Sequence, residues 1–66
     1  MNVIINNKPV EVQEGASLSD LSKQLNLPVQ GVAIAIDYKV IPRSIWSNTI
    51  LEENIELMVI EAVSGG

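Results

Sequence analysis

The sequence contains no cysteine, no histidine and no phenylalanine, with one tryptophan and one tyrosine. Without thiol or imidazole, cysteine nucleophiles, thiolate and imidazole metal sites, histidine-assisted hydrolysis and disulfide staples are excluded together. Basic residues are also scarce: four Lys and Arg against eight Asp and Glu give a formal net charge of −4. No basic run is present, so phosphate backbones would be repelled and nucleic acid is a poor partner. Long apolar runs are missing as well. The longest, Val32 to Ile36, is far short of the ~20 residues that span a bilayer. The N-terminus lacks a charged stretch followed by an apolar one, and the expectation is a soluble, cytoplasmic protein that meets no membrane.

What is present is 66 residues, 47% of them hydrophobic and 18% charged. That length makes one domain, and a chain near this size buries only about 60% of its extended surface. A spacious active-site cleft is therefore not expected. The charged fraction falls below the typical ~25%, so part of the surface must be neutral or apolar, which fits a shallow docking face.

The spacing predicts a hairpin at the start: Asn2 to Asn6 as one strand, Pro9 to Val12 as the next, and Asn6, Asn7 and Lys8 as turn material. Alternation places Val3 and Ile5 on one face and Ile4 on the other. Gly15 supplies a corner. Ser17 with Asp20 three residues on resembles a capping box, and Leu18, Leu21 and Leu25 recur at helical spacing, so a short helix is predicted, ending near Leu25 or Asn26 before Pro28.

Gly31 to Ile36 reads as a central strand, with Val32, Ile34 and Ile36 on one side and Ala33 and Ala35 on the other. Asp37, Tyr38 and Lys39 turn it into a short return, Val40 and Ile41, which Pro42 stops. Ser44 to Ile50 suits an irregular connector or a single turn anchored by Trp46. Glu52, Glu53 and Asn54 form the last turn. Ile55 to Val63 reads as a strand, with Leu57 and Val59 on one face and Met58 and Ile60 on the other. This order is predicted to form one mixed sheet with a single helix across it, the first and last strands parallel and adjacent in the middle. The domain would cover residues 1–63, with residues 64–66 as a mobile tail.

Candidate functional residues fall into a few groups. Gly65 and Gly66 are either a frayed end or a feature that lets extended backbone enter a partner's narrow channel, since residues without Cβ pass where side chains would block. A carboxylate presented in that way is a poor acyl donor until it is joined to AMP, after which a sulfur or nitrogen nucleophile can displace the nucleotide. The protein would then be a substrate, not an enzyme. Ile4, Met58 and Ile60 share the face away from the expected core. They are either covered by the connector around Trp46 or exposed as an apolar patch for protein docking, where Met suits more than one partner.

Glu52, Glu53, Glu56 and Glu61 gather before the tail, as a solvated face or as a means of steering toward a basic surface. Asp20 and Asp37 have no evident pocket to separate their pKa values for acid–base work. Arg43, beside Pro42, reads as a surface hydrogen bonder.

The run Ala35-Ile36-Asp37-Tyr38-Lys39-Val40-Ile41-Pro42-Arg43-Ser44-Ile45-Trp46, with Pro-Arg-x-x-Trp after a short strand, and the Gly65-Gly66 end resemble the ThiS family of sulfur carriers for thiamine biosynthesis. The resemblance covers the whole chain. It implies an α+β, ubiquitin-like β-grasp fold of about four to five strands and one main helix. It further implies that a ubiquitin-activating-type, ThiF-like adenylating enzyme uses ATP and Mg to adenylate Gly66. Sulfur from a donor protein then replaces AMP, and the resulting thiocarboxylate goes to a ThiG-like thiazole synthase. Ser64 and Gly65 would be the threading residues, and no cofactor would be bound by the carrier itself. Two positions depart from the family pattern: Asp37 stands where Asn is usual, and Asn54-Ile55 where Gly-Asp is usual. The rival readings are a sulfur carrier for molybdenum cofactor synthesis and a ubiquitin-like module that binds without covalent chemistry.

Overall fold

Asn6 and Asn7 both adopt positive φ, 49° and 70°, the signature of a two-residue type I′ turn whose twist suits an antiparallel hairpin. The turn joins β1 (Asn2–Ile5) to β2 (Lys8–Glu11). Lys8, expected in the turn, instead pairs with Ile5, because two consecutive left-handed residues close the hairpin without a third. The second hairpin repeats the device. Asp37 and Tyr38 take φ of 53° and 66°, so Lys39 is likewise the first residue of a strand, paired with Ile36. A computed structural model describes residues 1–27 and 31–61; Pro28 and the expected strand end at Val63 lie outside the described residues.

Between the hairpins lies α1 (Leu18–Gln24). Its N-cap is the capping box expected from Ser17 and Asp20. The Asp20 N–H donates to Ser17 Oγ at 3.2 Å, and the Ser17 N–H donates to Asp20 Oδ2 at 3.0 Å. Two amides that the helix itself leaves unpaired are thereby satisfied. At the other end Asn26 turns left-handed, φ 55°, and stops the helix where its short polar side chain tolerates that conformation.

The remaining strands are β3 (Val32–Ile36), β4 (Lys39–Val40) and β5 (Glu56–Glu61). They complete a five-stranded sheet in the order β2-β1-β5-β3-β4. β1 and β5 run parallel at its centre, and the other pairs are antiparallel. The parallel central pair and, among the described residues, the one α-helix are those the element order predicted.

One face of the sheet carries Val3, Ile5, Ile34 and Leu57 into a core shared with Leu18, Leu21, Trp46 and Leu51. The connector is more regular than expected, a six-residue 3-10 helix at Arg43–Asn48. Trp46 anchors it: the indole is buried and its Nε1–H donates to the Ile41 carbonyl at 2.8 Å. Burying the indole satisfies its polar atom as well as its apolar area, which holds an otherwise short-lived helix type in place.

The last turn tolerates the departure from the family pattern. Asn54 sits at φ 64°, and its N–H donates to the Asn2 carbonyl at 2.7 Å. Ile55 is half-buried against the core. A carboxylate remains at this corner through Glu53, whose Oε2 accepts the Asn2 N–H at 2.6 Å.

Candidate functional site

Strand alternation leaves the second face of the sheet without a helix. Ile4 stands beside Glu56 in the parallel register, Met58 opposite Ala35, Ile60 opposite Ala33, and Ala35 opposite Val40. The three residues singled out in the sequence therefore share a face. Met58 and Ile60 are 48% and 44% exposed, and Ile4 is half-buried. The 3-10 helix with Trp46 packs against α1, on the opposite side, and does not cover this patch.

Two exposed apolar residues extend the patch beyond what the sequence disclosed, Val40 at 62% and Tyr38 at 92%. Reading a two-residue turn at Asp37-Tyr38 would have put Val40 opposite Ala35 and revealed its side. Between the turns this face bears a shallow hollow of about 150 Å³, well below the ~300 to 1,000 Å³ of small-molecule sites.

β5 carries the chain from this patch toward its end. Ile4 and Ile5 hold its first half on one side, and β3 holds it on the other as far as Glu61. Where β1 turns away, the Asn6 carboxamide takes over: Oδ1 accepts the Val59 N–H at 2.9 Å, and Nδ2 donates to the Val59 carbonyl at 3.3 Å. Ser64, Gly65 and Gly66 lie outside the described residues.

Asp20 is held below the usual carboxylate value by hydrogen bonds from the Ser17 backbone and then its hydroxyl, with a smaller contribution from Lys23. That direction is opposite to what a general acid needs. Arg43 lies with its guanidinium carbon 4.1 Å from the centroid of the Trp46 ring, a cation–π stack that covers the buried indole. Glu52, Glu53, Glu56 and Glu61 are all exposed. Among the described residues, no group of three or more His, Cys, Asp or Glu is placed to hold a metal, and no helix is long and apolar enough to cross a membrane.

Residues 3–66 match the ThiS family. The chain belongs to that family. It is 24% identical to the sulfur carrier protein ThiS of Escherichia coli (strain K12), over 66 residues and the whole length of both chains. The crystal structure of the thiamine biosynthesis protein ThiS from Geobacter metallireducens shares the fold with a TM-score of 0.84 at 22% identity, all of both chains being covered. The solution structure of the thiamine biosynthesis protein from that organism gives 0.81 at 22% identity, covering all of this chain and 88% of that one. The architecture is the β-grasp anticipated from the sequence.

Proposed function

We propose that this protein is a sulfur carrier for thiamine biosynthesis whose reacting group is the Gly66 carboxylate. The observation that carries the reading is the family match over residues 3–66, in a sequence with no cysteine or histidine of its own. The Gly66 carboxylate attacks the α-phosphate of ATP, held with Mg by a ThiF-like adenylating enzyme, and pyrophosphate leaves. The resulting mixed anhydride activates the acyl carbon, so that the outer sulfur of a persulfide on a donor protein displaces AMP and gives an acyl disulfide; a thiol then attacks the donor's own sulfur, forming a disulfide there and releasing the thiocarboxylate. The thiocarboxylate then passes to a ThiG-like thiazole synthase in the cytoplasm.

The carrier itself contributes presentation, not catalysis and not a bound cofactor. Ser64 and Gly65 are the residues that thread the partner's channel, where glycine avoids a Cβ clash. Ile4, Met58 and Ile60 form the docking patch. β5 joins the two, running from Met58 and Ile60 on this face toward the tail.

Incubation with a cognate adenylating enzyme, ATP, Mg and a sulfur source tests this. The intact protein should gain the mass of one sulfur less one oxygen, located at Gly66 by fragmentation. An unchanged mass where a known carrier is converted would refute the proposal.

A further inference from the structure

Both hairpins turn beside the first half of β5: Ile5 and Ile36, the residues before the two turns, are each paired with Leu57. The hollow of about 150 Å³ lies between those turns, with Ile4, Ala35 and Met58 as apolar lining and Asp37, Glu56 and Tyr38 around them. A 150 Å³ space holds a group about the size of benzene, which is one side chain and not a metabolite.

The charge of that space has one sign. Asp37 and Glu56 are exposed and are its charged lining residues. Lys8 and Lys39 are close in sequence but pair with Ile5 and Ile36, whose side of the sheet is the core side. Tyr38 adds an aromatic ring that is 92% exposed on a residue with φ 66°. That φ is the one the two-residue hairpin turn requires of its second residue.

We infer that this hollow receives a single arginine side chain from the protein that docks on the sheet. A guanidinium is planar and weakly hydrated, forks onto carboxylates and stacks on aromatic rings, whereas an ammonium is compact and strongly hydrated. Its methylene stem would cover Ile4 and Met58. The inference rests on the docking role given to this face under the proposed function, and it names the chemistry of the partner's anchor.

Titration of the intact ¹⁵N-labelled protein with acetyl-Gly-Arg-Gly-amide tests the hollow directly, with the citrulline peptide as an uncharged control of the same shape. Saturable shifts should appear at Asn6, Tyr38 and Met58 with the arginine peptide. They should be several-fold weaker with citrulline and should disappear in the Asp37→Asn, Glu56→Gln double variant. That variant keeps the fold, because Asn tolerates the left-handed turn position and Glu56 is exposed. An equal response to citrulline, the absence of a saturable response, or shifts that survive the double variant would each overturn the inference. With the adenylating partner, the same variant should raise KM for the carrier about tenfold and leave kcat unchanged, which removes uniform binding of about 1.4 kcal/mol; an unchanged KM also counts against the inference. Failure of the wild-type protein to gain sulfur would count against the carrier role instead, and the peptide titration decides the hollow independently of it.

Discussion

The side chain of Asn6 takes the place of a missing strand beside Val59, accepting its N–H at 2.9 Å and donating to its carbonyl at 3.3 Å. The same residue makes the left-handed turn that ends β1, at φ 49°. Two roles meet in one asparagine. Asn6→Gly keeps the turn and removes the carboxamide, and should cost about 1 kcal/mol for the lost hydrogen bonds. Asn6→Ala adds the left-handed penalty of about 1 to 2 kcal/mol. Amide exchange should show Val59 losing protection in both variants, while Met58, whose amide faces β3, keeps it. Unchanged protection at Val59 would show that this link is not formed in solution.

Trp46 is expected to be the most sensitive core position. Trp→Ala in a core costs about 3 to 5 kcal/mol, as much as a domain of this size commonly has in total, about 3 to 5 kcal/mol. Trp46→Ala should therefore be largely unfolded at 25 °C by circular dichroism. Trp46→Phe retains most of the packing but leaves the Ile41 carbonyl without its indole donor, and should lose about 1 to 3 kcal/mol in urea melts.

The capping box makes stability depend on pH in a defined direction. Asp20 has a folded-state pKa below its ordinary value of 3.8, so the charged form is favoured by folding. Its stabilising contribution is fully present above pH 3.8 and is lost as the pH falls through the lower, folded-state pKa. Ser17→Ala should destabilise by about 1 kcal/mol at pH 7, the usual cost of losing an N-cap. The gap between wild type and an Asp20→Ala variant, which lacks the carboxylate that accepts from the Ser17 N–H and hydroxyl, should narrow below pH 3.8; a gap that is constant across an acid titration would show that the carboxylate is not part of the cap's effect.

Sulfur acquisition and folding should separate at the C-terminus. Appending one alanine after Gly66, or deleting Gly66, is expected to leave the unfolding free energy within about 0.5 kcal/mol of wild type and to abolish the gain of sulfur. A ubiquitin-like module that acts only by non-covalent binding predicts the reverse, activity that survives the deletion. Mass spectrometry and thermal melts on the same samples distinguish the two.

The element order and the helix cap were legible because they depend on neighbours in the chain. Ser17 and Asp20 are three residues apart, and their hydrogen bonds need nothing beyond the first turn of α1. The alternation that separated Val3 and Ile5 from Ile4 is likewise local. The turn lengths were harder to read: Lys8 and Lys39 are ordinary turn residues by composition, and only the positive φ of the residues before them moves both into strands. The exposure of Val40 followed from that same one-residue shift, which reverses the face on which every later side chain of a strand lies.

The sequence by itself determined the excluded chemistry, the helix after Gly15 and its cap, the order of the elements along the chain and the resemblance to a sulfur-carrier family, since each rests on residue type or short-range periodicity. Only the tertiary structure decided which face of the sheet is covered, where Asn6 meets Val59, and that residues from both hairpins enclose one small acidic hollow. Those relationships join positions about fifty residues apart, and no local pattern encodes a contact made only when β1 and β5 lie side by side.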